Sequence, residues 1–261
     1  MCRGCRYQAS ITAGTIFQDS RKPLMLWFRA IWAITSQKTG ASALALQRVL
    51  GLGSYETAWT WLHKIRRAMV TPGRERLHGE VEVDETFVGA PEEGRHGRRI
   101  IDKTLVVVAA EKDGQRIGRI RMRRIPDGSA RSLHPFVRVA IEPGSVLFTD
   151  DGQGYAGLKD YRREVKQIAR SGQTASQVLP RVHRVVSLLK RWLMGTHQGA
   201  VSHEHLDYYL DEFTFRFNRR TSASRGKLFY RLMQNAVRVL PAPYQMLTKH
   251  VRGRKPKDHN P

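Results

Sequence analysis

Gly79 to Gly89 reads GEVEVDETFVG, and its polarity alternates. An extended strand there places Glu80, Glu82 and Asp84 on one face and Val81 and Val83 on the other. Asp and Glu form strands poorly, and a row of carboxylates repels itself unless a cation stands between them. The stretch reads either as an acidic, solvated edge strand or as one wall of a divalent-metal site carried by Asp84.

The charge balance narrows the partners. Of 261 residues, 45 are Lys or Arg and 23 are Asp or Glu, a formal net charge of +22. Such an excess calls for a polyanion. The basic residues run through the whole chain instead of lining one amphipathic helix, which argues against a membrane-surface protein. A hydrophobic fraction of 41% supports an ordinary core. No apolar run approaches a membrane span, and the first residues lack the apolar segment of a signal peptide, so the expected location is the cytoplasm, at the nucleoid. The only two cysteines, Cys2 and Cys5, cannot make a disulfide framework. Their C-x-x-C spacing is that of half a zinc site or of a redox pair, and no strand–helix context supports the second. With SITAGTIF following at Ser10–Phe17, residues 1–20 look like the second half of a zinc ribbon. The chain is thus expected to begin in mid-module, with Zn²⁺ bound only if two further ligands are restored.

From Pro23 the period becomes helical: Leu24, Trp27, Phe28, Ile31 and Ile34 recur at three- and four-residue spacing. A second helix fits Ala41–Leu50, closed by Gly51, and a third fits Tyr55–Met69, started by Ser54 as N-cap. Two helices joined by a short Gly-containing turn, the second carrying Lys64, Arg66 and Arg67, read as a helix-turn-helix or as a plain three-helix bundle with a basic surface. The net charge favours DNA binding by this region, residues 21–72.

Thr71-Pro72-Gly73 marks a boundary, and residues 76–240 read as a second domain. After the Asp84 strand comes a basic loop, Gly89–Asp102, with Arg95, Arg98 and Arg99. Thr104–Glu111 is nearly all apolar and should be a buried strand. Asp113-Gly114 signals a hairpin into a third strand, Ile117–Ile125, and a helix follows near Ser129–Val139. Ser145–Asp150 is a short apolar strand ending in an acid, just before Gly152 and Gly154. Ligands gather at such strand ends in α/β sheets, although an Asp there also suits a plain turn. In the helix Leu179–Met194 the core stripe is Val182, Val186, Leu189 and Leu193, with His183, Ser187 and Lys190 on the neighbouring face. Helices over Ser202–Arg219 and Gly226–Leu240 follow, and residues 241–261 form a basic flexible tail.

This order of strands and helices is that of a ribonuclease-H-like α/β core behind a helical DNA-binding region. The segments VEVDETFVG, VLFTDDGQGY, VHRVVSLLKRWLMGTHQGAV and LDEFTFRFNRR resemble the DDE-type transposases of bacterial insertion sequences, in their ISXO-like group (the IS-fifteen-ninety-five family). The resemblance implies DNA cleavage at element ends and strand transfer, with two divalent ions, Mg²⁺ or Mn²⁺, held between carboxylates. It maps Asp84 and Asp150 onto the first two catalytic acids. His183 falls at the third position, where such families carry Glu or Asn and less often His, and Lys190 is the Lys seven residues on. Imidazole either ligates a transition ion or sits beside the metal. Lys190 is expected on a phosphate near the scissile bond, with Arg191 among the residues binding flanking phosphates. The partners implied are double-stranded DNA and a second copy of the chain. A decayed copy that only binds DNA, or an RNase-H-like nuclease or resolvase, are the competing readings.

Overall fold

The computed structural model describes residues 10–71, 73–89, 103–167, 174–198 and 201–248, together with the single residues Gly4 and Gly172. Cys2, Cys5, Arg95, Arg98, Arg99 and the tail from 249 onward lie outside the described residues. The chain divides into two units, Gly73–Thr221 and Met1–Pro72 with Ser222–Pro261. Among the described residues, no helix is long and apolar enough to cross a membrane.

The Met1–Pro72 unit contains α1 (Leu24–Ser36), α2 (Ala43–Leu50) and α3 (Tyr55–Ala68). Ser42 caps α2 by accepting from Ala45 N at 3.1 Å, and Gly51 ends it at φ 63°, where a side chain would be strained. Ser54 then caps α3, accepting from the Glu56 and Thr57 amides at 3.1 and 3.4 Å. Trp27 of α1 stacks on Trp61 of α3 with ring centroids 3.9 Å apart. Two C-terminal helices return to this unit. They are named α8 (Arg225–Ala236) and α9 (Tyr244–Thr248) by chain order. Asn235 of α8 donates to the Ala68 carbonyl at 3.0 Å. Gly226–Leu240 thus groups with the N-terminal helices, not with the sheet as the sequence reading has it. Local periodicity announces a helix but not the neighbour it packs on.

The Gly73–Thr221 unit is built on one mixed sheet. Its strands are β1 (Glu80–Val88), β2 (Thr104–Asp113), β3 (Arg116–Arg124), β4 (Val146–Thr149) and β5 (Arg162–Val165). They lie in the order β3-β2-β1-β4-β5. β1, β2 and β3 form an antiparallel meander, while β4 runs parallel to β1 and β5 parallel to β4. This is the ribonuclease-H-like arrangement. Helix α4 (Ala130–Ala140) lies between β3 and β4 in the chain, and the short α5 (Ala175–Val178), α6 (Pro180–His197) and α7 (Leu206–Phe217) follow β5. Alternation along β2 supplies both faces. Val106, Val108 and Ala110 pack with Val182, Val185 and Leu189 of α6 and Leu210 and Phe213 of α7. Val107 and Ala109 pack with Val81 and Val83 of β1 and with Leu133, Phe136 and Val137 of α4. In α6 the fully buried valines are Val182 and Val185, and Val186 is only partly buried.

β5 has no counterpart in the sequence reading. Its residues, Arg-Arg-Glu-Val, carry three charges and no alternation, and it pairs only at the sheet margin.

Candidate active site

The carboxylate row on β1 is resolved residue by residue. Glu80, at the strand start, pairs with Lys112 of β2. Glu82 is 5% exposed and reaches the start of α6, where its Oε2 accepts from the Arg181 and Val182 amides at 2.7 and 3.0 Å. Its Oε1 accepts from Arg181 Nη1 at 3.1 Å. Asp84 faces His183, whose Nε2 stands 3.3 Å from Asp84 Oδ2. The acidic edge-strand reading is therefore wrong, because β1 is the middle strand of the sheet. Protein cations and helix amides neutralise the first two acids, and Asp84 is left with an imidazole.

Asp150 directly follows β4. The parallel register pairs Glu80 with Val146, Val81 with Leu147 and Glu82 with Phe148. Continued by two residues, it sets Asp84 beside Asp150 on one sheet face, since neighbouring strands lie about 4.8 Å apart. The two carboxylates act on each other: burial raises the Asp84 pKa, the Glu85 amide and His183 oppose that rise, and Asp150 adds to it. The turn after Asp150 is fixed by contacts that the sequence reading missed. Arg163 of β5 donates from Nε to Thr149 Oγ1 and from Nη2 to the Asp150 and Gly152 carbonyls, each at 2.9 Å. Asp150 Oδ1 accepts from Gly152 N at 3.0 Å. Gly154 explains itself by crowding, because a Cβ there would stand 2.0 Å from the Gly128 carbonyl oxygen.

Glu85 belongs to the opposite, α4-side face of β1. Burial, opposed by the Tyr155 hydroxyl and reinforced by Asp84 and Asp150, pushes its carboxyl up to about 7. The Tyr155 hydroxyl is itself buried beside Glu85 without completing a well-formed hydrogen bond, and burial raises its pKa far above the ordinary phenol value.

Lys190 is exposed on α6, two turns beyond His183, and Arg191 is exposed next to it. Lys190 lines a cavity of about 410 Å³ with Lys103, His203, Phe87, Val88 and Met194. In the helical unit, Lys64 is half-buried, and burial lowers its pKa. Arg67 is half-buried as well. Arg66 is only 2% exposed, so it does not present its guanidinium to a polyanion as the sequence reading expects. Helix α3 also buries Ala58, Trp61, Leu62, His63 and Ile65, which leaves it a narrow polar face.

Among the described residues, no three His, Cys, Asp or Glu converge closely enough to form a metal cluster. What is present is a donor pair with a further acid alongside. His183 Nε2 is buried and has no hydrogen-bond partner, although it lies 3.3 Å from Asp84 Oδ2. An unsatisfied imidazole nitrogen next to a carboxylate oxygen suits two adjacent ligands of one ion. Asp150 would supply a further hard oxygen to an ion such as Mg²⁺, which keeps several of its waters.

A family model described as the ISXO2-like transposase domain matches residues 76–218, more than half of the chain. Among curated proteins, the chain is similar to an uncharacterized protein in transposable element ISH50 of Halobacterium salinarum, with 26% identity over 83% of this chain and 77% of that protein. Among solved structures it is similar to a chain of a pre-cleavage Mos1 transpososome, at a TM-score of 0.30 and 14% identity, covering 84% of this chain and 80% of that one. A TM-score that low adds nothing to the fold read from the strand order. The matched span holds β1, β4 and α6, and with them Asp84, Asp150, His183 and Lys190, and by that match the chain belongs to the ISXO2-like transposase family.

Proposed function

We propose that this protein cuts DNA at the ends of a mobile element and joins the freed 3′-hydroxyl to target DNA, with Asp84 and Asp150 as its metal-holding acids. The observation that carries this reading is His183 Nε2 3.3 Å from Asp84 Oδ2, with Asp150 acting on Asp84 from just past the end of the neighbouring parallel strand β4. A divalent ion of the Mg²⁺ or Mn²⁺ class, when bound, supplies activation of the attacking oxygen and neutralisation of the leaving one. Asp84 and Asp150 hold that charge at the end of the sheet. His183 either ligates beside them or orients Asp84. Lys190 places an ammonium group on a DNA phosphate next to the reacting bond, and Arg191 takes a neighbouring phosphate. Lys64 and Arg67 of the helical unit, with Arg95, Arg98 and Arg99, take further phosphates, which makes affinity fall steeply with salt. Paired element ends call for two copies of the chain.

The test is an end-cleavage and joining assay on duplex DNA bearing the element ends. Wild-type protein joins ends only with Mg²⁺ or Mn²⁺, whereas Asp84→Asn and Asp150→Asn bind the same DNA and join none. Full joining by either variant refutes the assignment. A second reading, a remnant that binds ends without cutting, is favoured by His183 standing where an acid or amide is expected. It predicts no cleavage by the wild type with any divalent ion.

A further inference from the structure

Helix α6 carries both His183 and Lys190, yet nothing local caps its start. Leu179 occupies the N-cap position without a side-chain hydrogen bond, and Pro180 follows as the first helical residue. The open amides at a helix start need acceptors, and the positive end of the helix dipole favours an anion. Glu82 meets both needs from β1, about a hundred residues earlier in the chain. Arg181 extends the same junction. Its Nη1 donates to Glu82 at 3.1 Å, and its Nη2 donates to the Gly114 carbonyl in the β2–β3 turn at 2.9 Å. Glu82 and Asp84 share one face of β1, two residues apart, and His183 follows the capped amides directly.

We infer that Glu82, with Arg181, is a positioning residue that docks the start of α6 onto β1 and so holds His183 against Asp84. The carboxylate fixes where the helix begins along the strand and which way its first turn faces. His183 is then set opposite Asp84, and Lys190 two turns further on. Glu82 is 5% exposed, and its protein partners already occupy both of its oxygens. A shift of about 1 Å in reacting groups is enough to slow an enzyme roughly a hundredfold. The inference rests on the proposed reaction only for that kinetic consequence.

The experiment measures the junction directly. In histidine-labelled protein, the His183 ring resonance is recorded with and without Asp84→Asn, in the wild type and in Glu82→Gln. The wild type shows a shift on loss of the Asp84 charge, and Glu82→Gln loses that shift. Glu80→Gln, which removes an equal charge from the same strand face, keeps it. On DNA ends, Glu82→Gln lowers kcat about a hundredfold with KM unchanged. Retention of the full shift in Glu82→Gln, or its loss in Glu80→Gln, overturns the inference. If Glu82→Gln does not melt cooperatively, Arg181→Met replaces it. That variant leaves Glu82 on both amides but removes the side-chain clamp, so a reduced shift supports the inference and a full one overturns it. A wild type that cuts no DNA but shows this pattern of shifts refutes the proposed reaction and leaves the role of Glu82 standing.

Discussion

The LDEFTFRFNRR segment begins within α7 (Leu206–Phe217), and most acids of that helix serve structure. Asp207 pairs with Arg124 at 2.9 Å, and Glu212 accepts from Arg216 Nη2 at 2.7 Å. Asp211 is the exception, and its titration gives a measurable pH dependence. The residue keeps some exposed surface, but its carboxyl is turned into packed protein. Burial raises its pKa from 3.8 to about 7, the Arg74 guanidinium opposes the rise, and Asp207 adds to it. A raised carboxyl pKa means that the native state holds the proton more tightly than the unfolded chain does. The resulting stability is complete below pH ~4 and is lost as pH climbs through about 7. Roughly three pH units at about 1.36 kcal/mol each give a ceiling of about 4 kcal/mol. Asp211→Asn removes the titration while keeping the side chain's shape. At pH 3 the two proteins should melt alike, since Asp211 is then protonated in both the folded and the unfolded chain and Arg74 lacks a countercharge in each. At pH 8 the variant should be the more stable, by about 2–4 °C in Tm per kcal/mol recovered. Glu85 titrates in the same range with the same sign, but it is common to both proteins and cancels in the comparison. The assay is calorimetric melting from pH 3 to pH 8, with the variant's advantage opening above pH ~4 and levelling off above about 7. Superimposable curves for wild type and variant would refute the assignment.

Other outcomes follow from the site and the caps. Arg163→Ala frees the Thr149–Gly152 turn from three hydrogen bonds, so cleavage should fall about 10²-fold while end binding, read by gel shift, stays unchanged. Gly154→Ala sets a Cβ 2.0 Å from a backbone oxygen that cannot step aside; the Gly73–Thr221 unit should lose at least about 2 kcal/mol in urea melts, and an unchanged midpoint would contradict the packing. Lys190→Ala should weaken end binding and reduce the slope of log affinity against log salt by about one. Ser54→Ala removes the acceptor at the start of α3 and should cost the helical unit about 1 kcal/mol.

What the sequence could reveal depended on how local the cause was. Period two on β1, the apolar run of β2 and the acid after β4 are local facts, and they bring Asp84 and Asp150 to one place. The role of Glu82 is not local. Its spacing puts it in a row with Asp84, so pattern alone assigns it the same chemistry, and only the return of α6 reveals it as the helix cap. Arg163 and β5 escape notice for the opposite reason: a four-residue charged strand at the sheet margin has neither alternation nor an apolar face to betray it. Arg66 shows where charge misleads. An arginine on a helix reads as solvent-facing, yet α3 is packed around most of its circumference and Arg66 ends inside.

The same contrast separates what holds the site together from what reacts in it. Each residue missed by pattern, Glu82, Arg163 and Gly154, acts on backbone: helix amides, turn carbonyls, or a close approach of two chain segments. Each residue proposed from pattern, Asp84, Asp150, His183 and Lys190, would carry its chemistry at the tip of a side chain. Contacts with backbone far away in the chain leave no signature in the partner's residue type, because any carbonyl or amide can take part. A mutational survey confined to charged motif residues would therefore probe the proposed reacting groups and overlook their supports. The supports should stand out instead as positions where activity or stability falls although the side chain touches only backbone and protein partners.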